Sequence, residues 1–198
     1  MTICANWLRR KQFRRTASRI AGTTRARLAT IGVSALDPIP MPARSVRKTP
    51  AYVVRHSLIH GRGVFARRTI RKGARIIEYR GERISLDEAE RRPDSDPDNP
   101  YHTFLFELHD GRVIDAASRG NAARWINHSC VPNCIPIEDD DARVYIEAKR
   151  TIRAGEELSY DYRLSVPGRI TAKMNEGYAC RCGAPRCRGT MLEKKKRR

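Results

Sequence analysis

Two runs carry the side chains that could do chemistry. The first is R-W-I-N-H-S-C-V-P-N-C, Arg124 to Cys134, with an amide, an imidazole and a thiol crowded into Asn127, His128 and Cys130. The second is G-E-E-L-S-Y-D-Y, Gly155 to Tyr162, with two phenols around Asp161. Neither run holds a serine or cysteine nucleophile with its base. A polar cofactor seat beside an aromatic-lined pocket, close to a metal, fits them better. That combination points to group transfer.

The metal signal lies further along. Cys180-x-Cys182-x4-Cys187 gives three thiols in eight residues. A structural zinc takes four tetrahedral ligands and leaves no open position for water, so one ligand must come from elsewhere. By spacing alone Cys130 and Cys134 are both candidates. Gly183 and Pro185, with Arg181 and Arg186, suit a tight electropositive thiolate loop. His60-Gly61-Arg62-Gly63 is a turn that lets backbone come close to a ligand, and it lacks the third glycine and following helix of a dinucleotide fingerprint. Asn127 and His128 could equally satisfy backbone groups or hold the polar end of a cofactor. Tyr160 and Tyr162 alternate with Asp161 on a strand, so the phenols share one face.

The elements that must position these groups are short. Y-V-V-R, G-V-F-A, R-I-I-E-Y and H-T-F-L-F-E-L are β-branched or aromatic runs that predict strands from Tyr52 onward. His109-Asp110-Gly111 turns the chain into R-V-I-D, and Asp139 to Asp141 turn it into R-V-Y-I-E-A. Ser85-Leu86-Asp87-Glu88 is a capping box for a short helix that stops before Pro93. Pro93 to Pro100 is a loop, Ser118 to Ile126 forms one or two helical turns, and Gly155 opens a last strand. The expected fold class is mostly β with short helices.

Charge divides the 198 residues unevenly. Residues 1–50 hold 11 Lys/Arg and one acid, residues 194–198 hold five Lys/Arg, and 51–193 hold 24 basic against 21 acidic residues. The sequence predicts a disordered basic tail over 1–50 and a second over 193–198, each suited to DNA or RNA contact or simply to solvation. Residues 1–36 contain no acid. They fit a true tail, a transit peptide, or a start displaced from Met41. No apolar run is long enough to span a membrane. Four of the six cysteines sit at metal-like spacing and the chain is not a small secreted domain, which predicts a reducing compartment, a bacterial cytoplasm or a nucleus.

From Val54 to Met191 the motifs resemble SET-domain protein-lysine methyltransferases with a post-SET zinc segment. H-G-R-G-V-F-A, I-E-Y-R-G-E, the long N-H-S-C motif, G-E-E-L-S-Y-D-Y and C-R-C-G-A-P-R-C-R-G follow the family's order. H-G-R-G and N-A-A-R-x-I-N-H-S-C are similar to the trithorax-like branch. The resemblance implies a SET β clip over 52–163 with a pseudoknot, and a post-SET segment over 176–192. It implies S-adenosylmethionine held by His60, Arg62, Gly63, Phe104, Asn127 and His128. Tyr101 would compensate for a phenylalanine at Phe104. Tyr162 falls at the catalytic tyrosine, Tyr160 at the Phe/Tyr switch and Tyr79 along the lysine channel. The implied zinc ligands are Cys130, Cys180, Cys182 and Cys187. The implied substrate is a basic protein, histone, histone-like or ribosomal, mono- or dimethylated. The competing expectation is a non-catalytic scaffold of the same fold that binds nucleic acid or a partner through its tails.

Overall fold

The computed structural model describes residues 49–96, 98–166 and 169–193. The predicted tails over 1–50 and 193–198 lie almost wholly outside these residues. Strand β1 (Tyr52–His56) and β2 (Arg62–Ala66) form an antiparallel hairpin whose turn carries His60 and Gly61. Gly61 has φ +44°, a left-handed conformation that costs glycine little. Strands β3 (Arg75–Tyr79), β8 (Cys134–Glu138) and β9 (Val144–Ala148) form one sheet in the order β3-β9-β8. Strands β4 (Glu82–Ser85), β5 (Leu105–Glu107) and β6 (Arg112–Asp115) form a second in the order β4-β6-β5.

Helix α1 (Leu86–Arg91) starts where the capping box predicts, with the Ser85 side chain accepting from the Glu88 N–H at 3.1 Å. Glu88 does not complete the box. Its carboxylate pairs with Arg91 and Arg92 on its own helix face. The helical turn expected over Ser118 to Ile126 is a single 3-10 turn, Ala122–Trp125, capped by the Asn121 side chain. A second helix, α2 (Ala172–Gly177), has Thr171 as its N-cap.

The last expected strand is shorter than the sequence suggested. Gly155 sits in a turn with φ +86°, and only Ser159–Tyr160 forms a strand, β10. It pairs in parallel with β7, Asn127–His128. This two-residue ladder joins the two chemistry-bearing runs, which lie about thirty residues apart in sequence. The core beneath it includes Ile114, Ile126, Ile146, Leu158 and Tyr160, each at most 2% exposed. Burial of this size, about 2 kcal/mol per large apolar side chain, holds the short strands that propensity alone would not.

Candidate functional site

A cavity of about 370 Å³ opens between the β1–β2 turn, the β7 region and the C-terminal segment. That is within the usual range of roughly 300–1,000 Å³ for small-molecule sites. The turn contributes His60, Gly61 and Arg62; the middle of the chain contributes Tyr101, Trp125, Asn127, His128 and Tyr162; the C-terminal segment contributes Gly177, Cys180 and Arg181.

Asn127 is held from three sides. Its Nδ2 donates to His60 O at 3.3 Å, Arg62 O at 2.9 Å and Glu157 Oε1 at 2.8 Å. Three acceptors around one amide nitrogen fix the amide's orientation, since a flip would set oxygen against oxygen. Oδ1 then accepts from no donor among the described residues and stays available to a cationic ligand group. Glu157 is itself oriented by Ser57, whose hydroxyl donates to it at 2.8 Å.

His128 links the two runs to the thiols. The backbone N–H of Tyr162 donates to its Nδ1 at 3.1 Å, so a neutral ring carries its proton on Nε2, 3.4 Å from Cys130 Sγ. Burial pushes the ring's pKa down to about 4. Asp161 lies 3.6 Å from Nδ1, but a neutral imidazole makes no ion pair. Asp161 is instead clamped by Arg188, the two terminal guanidinium nitrogens each donating at 2.7 Å.

The tyrosines form a cluster behind the cavity wall. Tyr162 lines the cavity and donates its hydroxyl to Ile126 O at 2.9 Å. Tyr79, 1% exposed, donates to Phe104 O at 2.9 Å. Tyr160 is fully buried, its ring 5.1 Å from that of Tyr162, and its hydroxyl has no hydrogen-bond partner among the described residues. Burial raises the pKa of all three, so they are neutral hydrogen-bonding groups near pH 7.

The structure brings Cys130 together with Cys180, Cys182 and Cys187, all four sulfurs within 4.8 Å of one another. Two of the separations, 3.7 Å for Cys130–Cys180 and 4.0 Å for Cys130–Cys187, match the edge of about 3.8 Å that tetrahedral Zn–S bonds of about 2.3 Å require. Backbone N–H groups of Arg188 and Gly189 point at Cys130 and Cys187 sulfurs, as thiolates need. The four thiols could hold a zinc ion. Cys134 is elsewhere, buried on β8 with its thiol against Asn133 Oδ1.

Two of the expected cofactor residues, Gly63 and Phe104, are not among the side chains that line this cavity. A Cβ on Gly63 would lie 2.3 Å from Glu157 Oε1, so the missing side chain there makes room for Glu157. Phe104 is not on the cavity wall. It is 8% exposed and stacks edge-on against His102 and Trp125. Tyr101 lines the cavity and lies flat on Gly177, where a Cβ would meet the ring at 2.4 Å. Trp125 and Arg188 escaped the sequence reading. Trp125 reads as a core aromatic, yet it lines the cavity with Arg62 over its ring at 5.2 Å. Arg188 stands beside a cysteine and reads as loop charge; only its folded position shows Asp161 as partner.

The SET domain family model matches residues 61–163. The chain belongs to the SET-domain family. Its relatives include histone-lysine N-methyltransferase trr of Drosophila melanogaster, 43% identical over 138 residues, which cover 68% of this chain and 6% of that protein. Histone-lysine N-methyltransferase 2B of Homo sapiens is 39% identical over 157 residues, 76% of this chain and 6% of that protein. Histone H3-lysine(4) N-trimethyltransferase ATX1 of Arabidopsis thaliana is 41% identical over 138 residues, 67% of this chain and 12% of that protein. The matched part of this SET chain therefore spans 6–12% of these relatives' lengths. No helix among its described residues is long and apolar enough to cross a membrane.

Proposed function

We propose that this SET-domain chain is an S-adenosylmethionine-dependent protein-lysine N-methyltransferase acting on a basic protein of histone or histone-like character. One observation carries the reading. The cavity that Asn127, His128 and the His60–Arg62 turn enclose is walled by Tyr162, and Tyr160 and Tyr79 stand directly behind it. The relatives' names, histone-lysine methyltransferases from animals and a plant, support the same reaction class and substrate class.

The cofactor fits the residues present. Asn127 Oδ1 is an acceptor left over for an ammonium group, and the cavity is of ligand size. His60, Arg62, Asn127 and His128 would hold it, with Trp125 and Tyr101 as apolar walls. When bound, S-adenosylmethionine supplies a methyl group on a positively charged sulfur. The protein's task is to present a neutral amine. A free lysine has pKa about 10.4, so neutrality at pH 7 costs roughly 4–5 kcal/mol, which desolvation lowers. Neutral phenols orient the amine without adding negative charge that would favour the ammonium. Tyr162, fixed at its hydroxyl by Ile126 and at its backbone by His128, is the catalytic tyrosine. Alignment of this kind supplies several kcal/mol.

Tyr160 sets the methylation state. Its unpartnered hydroxyl can hold a water or the amine and so restrict the product to mono- or dimethyllysine. ATX1, a trimethyltransferase by name, makes this a discriminating property. The zinc on Cys130, Cys180, Cys182 and Cys187 is structural. The nuclear compartment, and nucleic-acid contact through the basic termini, follow from a chromatin substrate.

The test is label transfer from methyl-labelled S-adenosylmethionine to core histones, with modified lysines mapped by mass spectrometry. Tyr162→Phe is expected to lower turnover about 10²-fold or more while calorimetry shows cofactor binding retained. A wild type that binds the cofactor and labels no lysine in any basic protein would defeat the proposal.

A further inference from the structure

The excess positive charge of the folded region is concentrated in two connections. Residues 67–75, R-R-T-I-R-K-G-A-R, hold five Lys/Arg and no acid, and residues 149–155, K-R-T-I-R-A-G, hold three and no acid. The rest of 51–193 holds 16 Lys/Arg against 21 Asp/Glu. Outside these connections the region is therefore net negative.

The backbone lays the two connections side by side. Ile70 and Ile152 exchange hydrogen bonds at 2.8 and 2.9 Å, Gly73 N–H donates to Ala148 O at 2.8 Å, and Ala66 N–H donates to Glu156 O at 2.9 Å. The two isoleucines are the anchors, 5% and 0% exposed. Every Lys and Arg in both connections is exposed. Arg75 pairs with Glu147 and Arg150 with Glu156. Arg67, Arg68, Arg71, Lys72, Lys149 and Arg153 make no ion pair with any described residue. Like charges brought together on one surface repel, and among the described residues only Glu147 and Glu156 pair with these eight cations, too few to offset them. A polyanion would.

The chemistry of the patch narrows the partner. Single-stranded nucleic acid is held by aromatic rings that stack on bases, and neither connection contains an aromatic residue. Stable attachment to a membrane surface needs an apolar insertion besides the cations, and both isoleucines here face the core. What remains is a rigid row of phosphates, for which guanidinium groups are suited as bidentate donors. The geometry points to the Arg67–Lys72 and Lys149–Arg153 surface as a docking site for the phosphate backbone of double-stranded DNA. Its residues are other than those of the basic termini and other than those lining the cavity. Strand β2 carries the chain from Arg62 at the cavity to Arg67 at the patch, roughly 16 Å at 3.3 Å per residue. Duplex and substrate could then be engaged at once, with no base read and so no sequence preference.

The experiment measures the affinity of the full chain for a fluorescent DNA duplex as a function of salt. Each phosphate contact contributes about 0.9 to the slope of log K against log salt. The triple variants R67Q/R68Q/R71Q and K72Q/K149Q/R153Q are each expected to lower the slope by about 2–3, and all six changes together by about 5. Melting temperatures are expected to stay at the wild-type value, because all six side chains are exposed. If the six-fold variant does not fold, the two triple variants decide. Unchanged slopes in folded triple variants would overturn the proposal by assigning all DNA binding to the termini. Tighter binding of a single strand or of duplex RNA of equal length would overturn the duplex-DNA assignment. So would anionic vesicles whose binding falls in these variants while duplex binding does not.

Discussion

Tyr160 and Cys134 show how burial sets the behaviour of single groups. The Tyr160 hydroxyl is buried without a partner among the described residues, a state that costs about 1–3 kcal/mol. Tyr160→Phe removes the hydroxyl and keeps the ring, so urea unfolding is expected to show equal or greater stability, by about 1 kcal/mol. The same variant is expected to shift products towards trimethyllysine. A destabilised protein would mean that the hydroxyl has a partner, and an unchanged product ratio would remove Tyr160 from control of methylation. Cys134 is 1% exposed, and burial pushes its thiol up to about 12. Its thiolate fraction near pH 8 is of order 10⁻⁴. Iodoacetamide followed by peptide mapping is expected to leave Cys134 unmodified in the folded protein and to label it after denaturation.

At the scale of elements, the C-terminal segment is tied to the β7–β10 ladder at three points. These are the four-thiol cluster, the Arg188–Asp161 clamp and the Leu164–Leu192 bridge, whose side chains are each 1% exposed. The clamp has two parallel hydrogen bonds that a lysine cannot reproduce. Arg188→Lys and Arg188→Ala are both expected to cost about 2 kcal/mol. Hydrogen exchange should then speed up over residues 170–193 and not over β3-β9-β8. Full rescue by lysine would reduce the clamp to a simple charge contact.

For the molecule as a whole, the cavity depends on a segment with little core of its own. Gly177, Cys180 and Arg181 form one wall, and neither α1 nor α2 contains a buried residue. Chelation of the zinc proposed for the four thiols is expected to release this wall and abolish S-adenosylmethionine binding in calorimetry. Far-UV circular dichroism should keep its strand signal, because the two three-stranded sheets contain no thiol ligand. Cys182→Ser should reproduce the effect. Undiminished cofactor binding in metal-free protein would separate the thiol cluster from the site.

Much of this was legible in the chain itself. The β-branched runs marked β1, β2, β3, β6 and β9, and Ser85 marked α1, because burial alternation and capping are local properties. Other elements left no local trace. Pro136 argues against a strand, and β8 tolerates it only because it is the edge of its sheet. Glu82–Ser85 is too polar to read as β without β6 beside it. Phe104 and Trp125 are both aromatics, and which of them lines the cavity is a matter of packing. Gly63 could be marked as a place of close approach, but only the fold shows that Glu157 is what approaches. Residue types and their spacing determined the chemistry available: thiols for a metal, phenols and an amide for a ligand. Tertiary structure decided which groups meet, since side chains from Cys130 to Cys187, and cations from Arg67 to Arg153, become neighbours only through hydrogen bonds between distant segments.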